Sequence, residues 1–352
     1  MIALRSRLRP AWPLLTLVVL TAAAACGGSS DQKELFPDVI TLGEGDISPQ
    51  ITNSTLAVGE NRFSLGLLDK DNSPLLGAQV HLRFFDLNGE EPVMRSETDT
   101  RFVPVELSFI DEQSGKERRV VGSNGVYVAQ VSFGRAGNWG VEVNARLAGK
   151  MLKRAPFRFD VLEETPEPAL GDPAPASRQL TLADVADISE IDSSYPPRPH
   201  MHDVTVADAL AGGKPLVIAF ATPAFCESRT CGPVMETVMD PLYRRHKDVA
   251  VFIHIEPYQL KELREGSGQI PVGATAEWGI HTEPWMFVVG RDGKVAAKFE
   301  GIVALDEVET ALTEALARPT FSQRGVGGRA LDTSRRIVIP VTIGFRGHLR
   351  PH

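Results

Sequence analysis

The sequence is short of cysteine and of positive charge, and it lacks several familiar catalytic motifs. Only three cysteines occur among 352 residues, and if Cys26 serves another purpose a single close pair, Cys226 and Cys231, remains. Lysine and arginine number 37 against 45 acidic residues, for a net charge of −8. Nucleic-acid binding needs a basic face, so no nucleic-acid partner is expected. The absence of a Gly-rich phosphate loop, of HExxH and of GxSxG argues against an ATPase, a zinc protease or a serine hydrolase of familiar type.

The composition is that of a globular protein with room for two domains. Apolar residues make up 43% of the chain and charged residues 23%, which favours neither global disorder nor a multi-span membrane protein. A length of 352 residues exceeds that of one ordinary domain. We therefore expect two domains.

The N-terminal 26 residues have the pattern of an export signal. Three arginines precede an apolar run over residues 14–20, which is too short to span a bilayer comfortably and is followed by small residues. Residues 23–26, Ala-Ala-Ala-Cys, resemble the lipobox of bacterial lipoproteins. The resemblance implies a signal peptide over residues 1–26, a lipid on Cys26 and anchoring at the extracytoplasmic face of the cell membrane. Disulfides can persist in that compartment.

Residues 51–162 follow a tether predicted over residues 27–50, and they alternate between apolar and polar side chains. Short alternating runs with turn signals between them predict an antiparallel β-sandwich. Two segments, SPLLGAQVHLRF (73–84) and GVYVAQVSFGRAGNWGVEV (125–143), resemble the immunoglobulin-like sandwich modules of bacterial exported proteins. The resemblance implies an all-β, immunoglobulin-like first domain, whose ligand the sequence does not name.

A stretch rich in proline and acidic residues marks the clearest domain boundary. Four prolines fall between residues 166 and 175, which predicts a semi-rigid, extended linker. We assign residues 163–203 to this linker and to an irregular lead-in that covers one edge of the next domain. Residues 318–352 form a tail to which the sequence assigns no structure.

Residues 204–317 change to an α/β pattern. The uninterrupted apolar runs PLVIAF (215–220) and VAVFIHI (249–255) predict buried central strands. Two later strands, WMFVVG and VAAKFEG, are joined by the hairpin signal Arg-Asp-Gly-Lys at 291–294. The helix after the cysteines should be kinked at Pro241, and an amphipathic helix closes the domain.

The cysteine pair stands between the first apolar strand and a helix, in the spacing C-x4-C. The segments PLVIAFATPAFCESRTCGPV (215–234) and TEPWMFVVGRDGKVAAKFEG (282–301), with the closing helix, resemble the thioredoxin superfamily. The resemblance implies a thioredoxin fold whose redox-active cysteines, Cys226 and Cys231, face a cis peptide bond before Pro284. It also implies a thiol–disulfide oxidoreductase without a cofactor, which acts on a protein thiol or disulfide and exchanges electrons with a redox partner.

Two arguments disagree on which cysteine attacks. Cys231 stands at the predicted helix start, where unpaired amides and the helix dipole stabilise a thiolate. The thioredoxin resemblance implies Cys226 as the nucleophile, and we favour Cys226 because it should be the more exposed sulfur. If Glu227 and Glu283 flank the site, like-charge repulsion raises the pKa of the thiols.

Two alternatives need no catalysis. A disulfide that closes so short a loop stabilises the fold by only about 2 kcal/mol, so a purely structural role is the less favoured interpretation. The chain could also be a non-catalytic binding module, in which the sandwich recognises a partner or a cell-wall component.

A thiol peroxidase is a third alternative. The segment TPAFCESRTCG resembles the TPGC-x4-CG stretch of Q-type peroxiredoxins, which use two cysteines at this spacing. In those enzymes the threonine lies three residues before the peroxidatic cysteine. Here Thr222 lies four residues before Cys226.

Copper handling is a fourth alternative. The chain resembles the Sco family, whose thioredoxin folds have a C-x3-C pair and a distant histidine. His281, three residues before Pro284, would complete a Cu(I) site with the two thiolates. We do not expect the other candidate histidines to bind a metal. His254 is predicted to be a structural residue of a buried strand, and His200 and His202 are predicted to lie in a solvated loop.

Overall fold

A computed structural model describes residues 36, 47–110, 117–152 and 155–318. The chain divides into two compact units, one of residues 1–102 and 123–164 and the other of residues 103–122 and 165–352. The predicted lipid site, Cys26, and residues 319–352 of the predicted tail lie outside the described residues. No helix in the described part of the chain is long and apolar enough to cross a membrane.

Nine strands are described before residue 162, and they form two antiparallel sheets. One sheet has the order β1-β2-β6-β5, and the other has the order β4-β3-β7-β8, with β9 also paired to β7. The strands are β1 (Ser48–Ile51), β2 (Gly59–Leu68), β3 (Gln79–Asp86), β4 (Val93–Asp99), β5 (Arg101–Ile110), β6 (Glu117–Phe133), β7 (Gly137–Leu147), β8 (Lys150–Met151) and β9 (Ala155–Val161).

The apolar residues of the two sheets share one core, as the alternating pattern predicts for a sandwich. Phe63 of β2 meets Phe84 of β3 edge to face, with ring centroids 5.0 Å apart. Tyr127 of β6 and Trp139 of β7 are buried in the same core. The immunoglobulin-like character of this sandwich stays a prediction.

The segment predicted as a tether is partly packed. β1 begins at Ser48, where it pairs antiparallel with residues 65–68 of β2. Phe36 is fully buried and its ring lies 5.1 Å from that of Phe85. An edge strand such as β1 forms wherever a neighbouring strand has unpaired backbone groups. A single aromatic side chain such as Phe36 is buried wherever the core has a cavity of its size. Neither condition leaves a periodic pattern in the sequence.

A buried carboxylate, Asp86, organises the end of β3. Arg135 donates to both of its oxygens, at 2.9 and 2.8 Å, and Arg95 donates to one of them at 3.1 Å. Burial alone would raise the pKa of the Asp86 carboxyl, but hydrogen bonds from Arg135, Asn88 and Arg95 hold it well below its usual range.

We predict that Asp86→Asn lowers the free energy of unfolding by about 2 kcal/mol at pH 7, because it removes charged hydrogen bonds at a buried site. A lowered folded-state pKa stabilises the fold above the unfolded value of about 4 and is lost as the pH falls below it. The difference between wild type and variant should therefore shrink on going from pH 7 to pH 3, as measured by urea unfolding. Asp71→Asn, at an exposed pair with Lys70, is the control and should change little at either pH.

The second unit contains the four strands, the helix after the cysteines and the closing helix that the sequence predicts, in the predicted order, together with three further short helices. They are α1 (Val206–Ala211), β10 (Leu216–Phe220), α2 (Cys231–Val234), a π-helical turn (Met235–Met239), α3 (Asp240–His246), β11 (Val251–Ile255), α4 (Leu260–Glu265), α5 (Gly273–Glu277), β12 (Trp285–Val289), β13 (Val295–Glu300) and α6 (Leu305–Ala317). The sheet order is β11-β10-β12-β13. β10 runs parallel to β11 and antiparallel to β12, and β12 and β13 form the hairpin.

The helix after the cysteines changes its winding just before Pro241. The π-helical turn Met235–Met239 leads directly into α3, whose second residue is Pro241. Proline lacks an N–H and crowds the preceding turn, so a regular α-helix cannot continue through it. The wider π-helical turn accommodates Pro241 at the position where a kink was predicted.

The proline-rich stretch is folded against the second unit and does not form an extended linker. The N–H groups of Gly171 and Ala174 donate to carbonyls of Val295 and Gly293, at 2.8 and 2.9 Å. Pro173 forms an isolated bridge with Lys294. An extended, proline-rich chain still has carbonyls and some N–H groups to pair, and the edge strand β13 offers them partners.

Candidate active site

The cysteines lie just beyond the carboxyl end of β10, where the chain leaves the centre of the sheet. Cys226 and Cys231 form a disulfide. Cys231 is the first residue of α2 and is completely buried in the core of the second unit, whereas Cys226 is half-buried. A partner can therefore reach Cys226 before it reaches Cys231.

The loop between the cysteines directs donors at the outer sulfur. The backbone N–H of Cys231 donates to Sγ of Cys226 over 3.3 Å. The Ser228 hydroxyl lies 3.2 Å from the same sulfur and 2.7 Å from the hydroxyl of Thr230. Arg229 has a left-handed backbone, with φ of 57°, which costs about 1–2 kcal/mol in a non-glycine residue.

These contacts remove the conflict between the two arguments on the attacking cysteine. The first N–H of the helix belongs to Cys231, but it points at the sulfur of Cys226. The amides at the helix start therefore stabilise a negative charge on the outer cysteine. Exposure and helix electrostatics both favour Cys226.

Strand pairing brings a third residue to the disulfide. Phe220, the last residue of β10, is paired with Trp285, the first residue of β12. The residues before Trp285 therefore lie at the same edge of the sheet as the cysteine loop. The Glu283–Pro284 peptide bond is cis, as predicted, and a carboxylate oxygen of Glu283 lies within 4.8 Å of both cysteine sulfurs.

Glu283 is a half-buried carboxyl beside the sulfurs. Burial raises the pKa of Glu283, a hydrogen bond from Tyr258 opposes the rise, and the nearby charge of Glu227 adds to it. The Tyr258 hydroxyl donates to Oε2 of Glu283 over 2.8 Å. The pKa of Tyr258 is itself raised, by burial and by this carboxylate. The prediction that Glu283 flanks the site is confirmed.

His281 does not join this group. Among the described residues, the cysteine sulfurs share their 4.8 Å cluster with Glu283 alone, and His281 is exposed. The turn before Pro284 directs Glu283 at the disulfide, two residues beyond the predicted ligand. A carboxylate is a hard ligand that does not favour Cu(I), so the expected pair of thiolates and an imidazole is not assembled here.

Two of the candidate histidines lie in a buried polar cluster, and His254 is buried within β11, as predicted. His202 is only 3% exposed, which overturns the prediction of a solvated loop, and it lies near His254 and Asp192. Burial lowers the pKa of His254 to about 4 and raises the pKa of the neighbouring Glu256 to about 7. Glu256, two residues after His254 in an apolar strand pattern, was a sequence signal of such a cluster. No sequence signal indicated that Asp192 belongs to the cluster.

No protein-family model and no curated protein match the sequence. A similar solved structure is the crystal structure of a chain described as a thiol:disulfide interchange protein DsbE from Chlorobium tepidum. It is 16% identical, covers 43% of this chain and 99% of its own, and has a TM-score of 0.28. The second unit has the strand order β11-β10-β12-β13, a helix that begins at Cys231 and a cis bond before Pro284.

We predict opposite effects for two substitutions beside the outer sulfur. In the reduced protein, Glu283→Gln removes a like charge and should speed the alkylation of Cys226 by iodoacetamide at pH 8, by roughly three- to tenfold. Ser228→Ala removes a donor to the same sulfur and should slow it. Glu265→Gln, an exposed carboxyl on α4, is the control. Equal rates in all four proteins would show that neither side chain acts on the thiolate.

Proposed function

We propose that this protein is an extracytoplasmic, membrane-anchored thiol–disulfide oxidoreductase that exchanges disulfides with protein partners through Cys226 and Cys231. One observation supports this most strongly: a disulfide whose outer sulfur is accessible and receives a helix N–H, while its inner sulfur is completely buried. A purely structural staple needs no such difference between its two cysteines.

The exchange proceeds in two steps. In the reduced protein, the Cys226 thiolate attacks one sulfur of a partner disulfide, forms a mixed disulfide and releases one partner thiol. The Cys231 thiolate then attacks the Cys226 sulfur, releases the second partner thiol and restores the disulfide. The partner gains two electrons and two protons, and the protein loses them. The same steps in reverse oxidise a dithiol partner.

The residues around the sulfurs have distinct tasks in this scheme. The N–H of Cys231 and the Ser228 hydroxyl stabilise the attacking thiolate. Glu283, within 4.8 Å of both sulfurs, accepts the proton that Cys231 must lose before it resolves the mixed disulfide.

The membrane location rests on the N-terminal sequence. A lipidated Cys26 would hold the second unit outside the cytoplasm, where a disulfide partner is available. The anchor and the catalytic pair are separate parts of the proposal, because Cys26 takes no part in the exchange.

The roles of the cysteines predict a one-sided trapping result. Cys231→Ser should accumulate a mixed disulfide between Cys226 and a partner protein, because the resolving thiol is gone. Cys226→Ser should accumulate none, since Cys231 is buried. The measurement is acid quenching of cells, alkylation of free thiols and non-reducing electrophoresis, in which the complex must disappear after reduction.

The double variant Cys226→Ser/Cys231→Ser retains Cys26 and is the matched control for adventitious cross-links. If neither single variant traps a partner and the wild-type pair is never found reduced, the disulfide is structural and the proposed exchange is wrong.

A further inference from the structure

Three buried side chains from three separate segments lie close together at β11. Asp192 follows a short 3-10 turn (Ile188–Glu190), His202 follows another (Pro199–Met201), and His254 lies within β11. Their side chains are at most 2% exposed. A ligand atom from each lies within 4.8 Å of the other two.

The hydrogen bond of His254 determines which of its ring nitrogens is free. Nε2 lies 2.9 Å from the carbonyl oxygen of Ala221, and because that oxygen can only accept, Nε2 bears the hydrogen. Nδ1 then presents its lone pair toward Oδ1 of Asp192, 3.6 Å away. Among the described residues, Nδ1 has no hydrogen-bond partner. A buried lone pair facing a carboxylate needs a cation between them.

Asp192 is held as an anion by backbone N–H groups. Its oxygens accept from the backbone N–H groups of Ser194, at 2.8 Å, and of Arg198, at 2.7 Å. The Arg198 guanidinium does not neutralise it, because that group is paired with both oxygens of Asp240. Nε2 of His202 lies 3.4 Å from Oδ2 of Asp192 and has no hydrogen-bond partner in the described part of the chain.

The spacing suits a metal ion better than a shared proton. A charge-assisted hydrogen bond would bring nitrogen and oxygen to about 2.8 Å. Two ligands of a tetrahedral ion at about 2.1 Å are separated by about 3.4 Å. Nε2 of His202 lies 3.4 Å from Oδ2 of Asp192, and Nδ1 of His254 lies 3.6 Å from Oδ1. The N–H of His254 on a backbone carbonyl is the outer-shell contact that metal-binding histidines usually make.

We propose that Asp192, His202 and His254 bind a nitrogen-preferring divalent transition-metal ion such as Zn²⁺. Two imidazoles and one carboxylate supply three ligands and leave one position of a tetrahedron open. His202 and His254 also line a cleft of about 530 Å³, together with Glu256. Water or a small oxygen ligand therefore has space beside the two imidazoles. This site is separate from the cysteine pair.

The test uses Co²⁺ as a spectroscopic probe on the metal-free, untagged full chain, with its disulfide intact. We expect one equivalent of Co²⁺ to give the intense visible d–d absorption of a four-coordinate site, and Zn²⁺ to displace it. His254→Gln and Asp192→Asn should each weaken Co²⁺ binding at least tenfold. His281→Gln, which alters an exposed histidine outside the cluster, should bind as wild type does.

Two further results distinguish metal binding at this cluster from metal binding at the cysteines. Cys226→Ser/Cys231→Ser should bind Co²⁺ as wild type does, and loss of binding in that variant would place the metal at the cysteines. If wild type binds no stoichiometric Co²⁺ or Zn²⁺, the proposal is wrong whether or not the cluster variants fold. Failure of the thiol-trapping experiment would leave this outcome unaffected, because the trapping readout does not involve the cluster.

Discussion

The pairing of β10 with β12 is the constraint on which the disulfide site depends. Phe220 ends one strand and Trp285 begins the other, and their register places the chain after Phe220 beside the chain before Trp285. The cysteine loop and Glu283 meet for that reason, although more than fifty residues separate them in sequence. Both strands are fully buried, so a shift of register would expose apolar side chains or bury polar ones. The hydrophobic core thus sets the distance between sulfur and carboxylate.

Burial also separates the roles of the two cysteines. Cys231 is part of the core beneath the helix, and its N–H projects toward the sulfur of Cys226. A helix start can stabilise a thiolate that lies in front of it as well as one that lies on it. The inner cysteine contributes its backbone to the outer one and keeps its own sulfur away from solvent. A single helix terminus therefore makes the pair chemically unequal.

The stretch before α1 contributes more to the second unit than a linker would. It pairs with the edge strand β13, and it supplies Asp192 and His202 to the interior at β11. Charged and polar groups are costly there unless they are paired. Asp192 receives two backbone N–H groups, and Nε2 of His202 and Nδ1 of His254 each face one of its oxygens across a gap. The low dielectric of the interior makes that gap favourable for a cation.

The sequence by itself determined the four strands of the second unit, its closing helix and the place of the cysteines at a helix start. These features follow from local periodicity and from short motifs, which neighbouring residues specify. Only the tertiary structure decided that Glu283 lies at the sulfurs and His281 does not, because a turn of two residues changes which side chain points inward. Only the tertiary structure joined Asp192 to His202 and His254, since contacts between distant segments leave no periodic trace. The packed proline-rich stretch is of the same kind, because backbone pairing at a sheet edge depends on a free partner and hardly on side chains.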